Sequence, residues 1–228
     1  MTGLQSQRSP TRPPPAYVAA RADAVRYAVL QRIAPALRHD MVANLQPMGM
    51  IHELAEHQVA SGRADIATLL DSSAKMNRFG KAALACCLET STWLERDSSA
   101  TIPIAQAVGE CSALLGRVFG FVGFRLINEV RYEALQMPRD AVRHALTAAL
   151  LAAVDTASGP SDVVLRTSHE GEAFVLTLSV VAQQDKRIAF TFDDNDRALT
   201  WDDVEAVASA ESIGFLKTPD GVSLSFPQ

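Results

Sequence analysis

Two long runs of helical periodicity, from about Tyr17 to Ala60 and from Asp65 to about Leu94, constrain this chain more than any other feature. Gly62 stands between them as a stop signal, and Asp65 has the short oxygen-bearing side chain that caps a helix start. The pattern predicts a long helical hairpin. Pro35 and Pro47 fall inside the first run, and each removes a backbone donor, so a bend is expected at either end of the segment they enclose. Apolar stripes run along both helices: Leu30, Leu37, Met41 and Leu45 on the first, Leu69, Met76, Phe79 and Leu84 on the second. Two helices cannot enclose both stripes, whereas a second copy would bury them in a four-helix bundle, so a homodimer is expected.

The segment between the prolines reads Leu37-Arg38-His39-Asp40-Met41-Val42-Ala43-Asn44-Leu45-Gln46. At about 100° per residue, Leu37, Met41, Leu45 and Met48 share one face, and His39 points roughly 160° to 200° away from Leu37 and Met41. The imidazole is therefore expected in solvent. Pro35, Val42, Ala43 and Gln46, about one turn from it, are small or uncharged and leave it open to a docking partner. The adjacent Asp40 can accept a proton or hydrogen bond from a ring nitrogen. This pattern suits a nucleophilic histidine, with His39 and Asp40 as candidate catalytic residues and Pro35, Val42, Ala43 and Gln46 as candidate partner contacts.

After Arg96-Asp97-Ser98-Ser99 the pattern changes. Ile104 to Phe119 reads as a helix, Gly123 to Val130 as a strand, and Arg139 to Thr156 as a helix entered from Pro138. Val163 to Thr167, Ala173 to Val181 and Arg187 to Phe192 have strand composition, with His169-Glu170-Gly171-Glu172 as a hairpin turn between the first two. A short helix near Trp201 to Ser209 and final strands at Ile213 to Leu216 and Val222 to Phe226 complete an α/β sandwich. The fold class expected is α+β: a tail over residues 1–16, a hairpin over 17–97 and the sandwich over 98–228.

The 228 residues, 48% of them hydrophobic, are enough for a buried core without cross-links. A net charge of −5 and a basic face nowhere in evidence argue against nucleic acid. The first fifteen residues are polar, contain Arg8 and Arg12 and end in three prolines, which reads as a disordered tail rather than a secretion signal. The longest apolar stretch, around Ala145 to Val154, is too short to span a bilayer, and a cytoplasmic protein with no membrane anchor is expected. Cys86, Cys87 and Cys111 fit neither a disulfide framework nor a zinc site and read as reduced core residues. His144 and His169 have no acidic sequence neighbour suited to a catalytic pair, apart from Glu170 beside a turn. The run from Asp193 to Asp203 lacks the ligand and glycine spacing of a calcium loop, since Arg197 and Ala198 stand at the key places, and reads as solvated.

The order of parts resembles the core of a sensor histidine kinase, in which a dimerisation hairpin bears the phosphoacceptor histidine, followed by an acidic residue, and an ATP-binding α/β domain comes after it. His39-Asp40 takes the place of that pair. The family's nucleotide motifs do not carry over. Where the kinases have a pattern close to Asn-x-x-x-Asn-Ala-x-Asp-Ala, this chain has Ala148-Ala149-Leu150-Leu151-Ala152-Ala153-Val154-Asp155-Thr156, and a methyl group cannot ligate magnesium. The glycine turn that contacts adenine is replaced by Asp193-Asp194-Asn195-Asp196-Arg197, and the glycine-rich lid is missing, Gly214 being the only glycine between Asp203 and Phe215. The resemblance thus implies a kinase-like domain that has lost ATP binding, similar to the dimeric histidine phosphotransferases.

It further implies two functions. In one, His39 accepts a phosphoryl group from an aspartyl phosphate on a response-regulator receiver and passes it to another, without ATP-dependent autophosphorylation; the chain holds no cofactor or metal, and the receiver brings magnesium. In the other, the chain is a non-catalytic pseudokinase that docks onto a histidine kinase or response regulator while His39 stays chemically silent. The kinase family's polar residue four places after the histidine is Ala43 here, which speaks against phosphatase activity.

Overall fold

The computed structural model describes residues 14–95, 97, 99–130, 135–170, 173–183 and 197–226. Most of the expected tail, the expected strand over 187–192, the acidic stretch 193–196 and the turn residues 171–172 lie outside these.

Helix α1 (Pro15–Ala60) starts at a proline, whose missing N–H is no loss in a first turn, and runs unbroken through Pro35 and Pro47. Gly62 closes it in the left-handed region at φ 68°. Helix α2 (Ile66–Leu94) begins at Asp65, whose carboxylate accepts the Thr68 amide at 2.7 Å; that bond holds the carboxyl below its usual range. The two helices lie side by side, with Met48 of α1 against Gly80 of α2: a methyl added to that glycine would meet the Met48 Cε at 3.5 Å.

The rest of the chain alternates short strands with helices. In order come β1 (Thr101–Pro103), α3 (Ile104–Phe121), β2 (Arg125–Asn128), β3 (Gln136–Pro138), α4 (Arg139–Thr156), β4 (Ser161–Glu170), β5 (Ala173–Ala182), α5 (Trp201–Ala210), β6 (Gly214–Thr218) and β7 (Gly221–Phe226). The main sheet has the order β2-β4-β5-β7-β6, with β2 parallel to β4 and the other neighbours antiparallel. Its register lines up Leu165, Leu178 and Val222, then Leu176 and Leu224, then Phe174 and Phe226, all buried on the face toward the helices. A separate antiparallel ribbon pairs β1 with β3. Helix α4 is enclosed on nearly every side: from Ala141 to Val154 only His144 is not buried, which explains its run of small alanines.

The chain is therefore α+β, with two long helices and a mixed sheet. One apolar cluster runs from the sheet through α3, α4 and α5 into the first half of α1, taking in Ala22, Val25, Val29, Ile33 and Leu37, and reaches Trp93 at the end of α2. Leu37, expected in a stripe left for a second copy, is thus buried within its own chain, and Leu30 packs against the same cluster. The apolar surface left uncovered lies farther along the hairpin, where Leu45 is 50% and Leu84 60% exposed.

Candidate functional site

His39 stands on α1 four residues after Pro35 and is exposed, as are Pro35, Val42, Ala43 and Gln46. The structure thus brings the expected acceptor and its expected partner contacts into one accessible stretch of helix. Asp40 is half-buried, and its charge reaches α2: burial first and Asp40 second push the Cys86 thiol up. Asn44 donates to the Asp40 carbonyl at 2.8 Å, a bond within the helix.

What the sequence did not reveal is which way that surface looks. Seven residues turn a helix through about 20° less than two full turns, so Val25, Arg32 and His39 lie nearly in line along α1. Val25 and Arg32 are buried against the α/β layers, whereas His39 is open. The histidine therefore continues the very stripe that faces the α/β unit, at the point where that unit stops covering it. Ala36, partly buried against the core, and exposed Ala43 flank it on the same side.

Three arginines fasten the first half of α1 to the layers beneath. Arg21 donates to Asp203 of α5 at 2.8 Å, Arg26 donates to Glu211 at 2.7 Å, and Arg32 donates to Asp155 near the end of α4. Glu211 also receives His144 at 3.1 Å; this bond, reinforced by Arg26, outweighs burial and draws the Glu211 carboxyl down to about 2. His144 accordingly has a carboxylate partner after all, one that sequence adjacency could not show. Nor is Asp203 solvated, as the acidic run suggested: burial would raise its carboxyl, but bonds from Arg21, Thr200 and Arg197 lower it, and it closes a capping box with Thr200 at the head of α5. Asp202 beside it is exposed.

Ala148 and Ala152 are wholly buried, and the Asp155 carboxylate is engaged by Arg32 and by the Leu199 amide at 2.7 Å. Surface grooves lie elsewhere among the described residues. One of about 440 Å³ opens in the hairpin beside Met48, Met76, Gly80 and Leu84, and one of about 1180 Å³ lies between the first turn of α1 and α5, beside Tyr17, Asp202 and Glu205. Among the described residues no three His, Cys, Asp or Glu side chains cluster to hold a metal ion, and no helix is long and apolar enough to cross a membrane. The cysteines are free; Cys111 is buried beside Thr147, and burial pushes its thiol up to about 12. His52 and His57 are exposed, His52 lying 3.4 Å from Glu56.

No protein-family model and no curated protein matches the chain. Solved structures do. A histidine kinase of Acinetobacter baumannii, AdeS, matches at 11% identity and a TM-score of 0.43, covering 80% of this chain and 96% of its own. A bacterial phosphotransferase matches at 13% identity and a TM-score of 0.35, covering 96% of this chain and 99% of its own. The histidine kinase ThkA, solved in complex with the response regulator TrrA, matches at 12% identity and a TM-score of 0.40, covering 96% of this chain and 67% of its own. At these values the likeness is loose, and the functional reading rests on the residues.

Proposed function

We propose that this chain is a histidine phosphotransferase of a two-component relay, in which His39 takes a phosphoryl group from a receiver's aspartyl phosphate and hands it to another receiver. A neutral ring nitrogen attacks phosphorus; the N–P bond forms as the P–O bond to the receiver's aspartate breaks, and that carboxylate leaves with the electron pair. Asp40 stabilises the positive charge the ring acquires, and the receiver supplies magnesium. Such transfer depends on position and charge neutralisation, so an accessible nucleophile and a docking face suffice. Pro35, Val42, Ala43 and Gln46 provide that face.

One observation supports this reading above the rest. His39 is open to solvent on a helix that its own α/β unit grips up to Leu37, with α2 gripped at Trp93 as well. Packing of that unit against both helices gives it little room to swing a nucleotide toward the histidine, which supports a phosphoryl group brought by a second molecule. The exposed apolar positions farther along the hairpin fit a homodimer, as proposed from the sequence.

Incubation of the chain with receiver domains charged by acetyl phosphate tests the assignment. His39→Ala should abolish labelling while leaving the fold intact, since an exposed histidine contributes little to packing. Asp40→Asn should slow labelling less severely. Labelling that survives in His39→Ala would sink the assignment; binding to a receiver or kinase without labelling of either form would favour the non-catalytic pseudokinase.

A further inference from the structure

Arg32 and Asp155 are buried together, with side-chain exposures of 3% and 6%, far from water that would loosen such a pair. Asp155 is a junction of three elements: it lies near the end of α4, receives Arg32 from α1, and accepts the amide of Leu199 in the segment that leads into α5. Buried ion pairs add little net stability over a well-packed apolar pair, but they demand one geometry. Here the geometry they fix is that of a helix carrying a reactive residue. His39 follows Arg32 by seven residues, which is about 10 Å along the helix and nearly the same direction around it. No other charged pair between α1 and the α/β layers, among the described residues, lies as near the histidine: Arg21 and Arg26 meet their partners farther toward the start of the helix.

We infer that a receiver seated on Pro35, Val42, Ala43 and Gln46 also rests on the α/β edge beside His39, and that Arg32 is a positioning residue for phosphotransfer, its buried pairing with Asp155 setting where His39 stands relative to that edge. The inference rests on His39 being the phosphoacceptor. A receiver brings its phosphoryl group on a rigid domain, so a small rotation of α1 moves the ring out of line with the phosphorus. A freely diffusing donor adjusts its own approach and does not register that rotation.

The contrast supplies the test. Removing Arg32 alone would strand a buried carboxylate and endanger folding, so the variant is Arg32→Met with Asp155→Asn, which removes both charges of this pair while the asparagine oxygen still accepts the Leu199 amide. Three quantities are measured on the full chain: labelling of His39 by phosphoramidate, transfer from an acetyl phosphate-charged receiver, and hydrogen exchange of residues 15–37. The expected result is wild-type labelling by phosphoramidate, receiver transfer slowed about tenfold to a hundredfold chiefly in its maximal rate, and faster exchange in that segment. Arg32→Lys, which keeps a cation within reach of Asp155, should recover part of the transfer rate. Receiver transfer at the wild-type rate in the double variant overturns the inference, as does unchanged exchange over residues 15–37. Failure of wild-type His39 to accept from any receiver while phosphoramidate labels it would instead overturn the relay reading, and the inference with it.

Discussion

Arg143 holds its guanidinium over the Trp93 indole, the central carbon 4.7 Å from the ring centroid. The same group donates to Glu110 of α3 at 2.6 Å and to the Thr92 hydroxyl at 3.0 Å, so one α4 side chain ties the last turn of α2 to α3. Arg143→Ala should destabilise the fold by about 2 to 4 kcal/mol, since it removes the stacking cation and leaves Glu110 without the charge that pairs it. Arg143→Lys should recover only part, because an ammonium can neither stack nor fork. Guanidinium chloride unfolding measures both; an alanine variant within 0.5 kcal/mol of wild type, on the order of an ordinary surface change, would show that this tie carries no load.

Acid should loosen the α1 clasp through Glu211. Its folded-state carboxyl is depressed to about 2 by His144 and then Arg26, so its contribution is fully present above the ordinary glutamate range and is lost as pH falls from there toward 2. Glu211→Gln lacks this contribution at every pH. Urea unfolding at neutral pH and near pH 3 should show a stability gap between wild type and variant that narrows on acidification. A gap that is constant with pH would contradict the pairing.

Calorimetry with ATP and magnesium should register no micromolar binding. Ala148 and Ala152 offer no oxygen and no surface, and Asp155 is already occupied by Arg32 and the Leu199 amide. Micromolar affinity would overturn the pseudokinase character proposed for the second half of the chain.

Light scattering should find a dimer, and Leu84→Glu should yield a folded monomer. Leu84 is 60% exposed in the single chain, so glutamate there leaves the internal packing alone while placing charge on the face a second copy would cover. A wild-type monomer would sink the four-helix bundle.

The hairpin, its stop at Gly62, its cap at Asp65 and the span of α4 were legible in the sequence because each depends on residues a few places apart. His39 is exposed as expected, but because the α/β unit stops covering its side of α1 there, a cause that no local pattern shows. The β1–β3 ribbon was not legible: each strand has three residues, ends in a proline and finds its partner only through the fold. The arginine clasp was equally hidden, because Arg32 meets Asp155 across 123 positions and Arg26 meets Glu211 across 185. A signal existed in the heptad step from Val25 to Arg32 to His39, which sets a charge in line with an apolar residue. It becomes readable only once the buried side of α1 is known. Leu37 misled for a related reason, since periodicity identifies an apolar face without saying which element covers it.

The burial of α4 works as a ratchet. An asparagine introduced at Ala148 or Ala152 would enter a space with no solvent access, crowding its neighbours and leaving amide donors unsatisfied at a cost of about 1 to 3 kcal/mol each. The first such change would weaken the fold before a second could complete a cation site. Dense alanine packing thus sets a folding cost on each step from this helix toward a nucleotide-binding one, whatever the helix is selected to do.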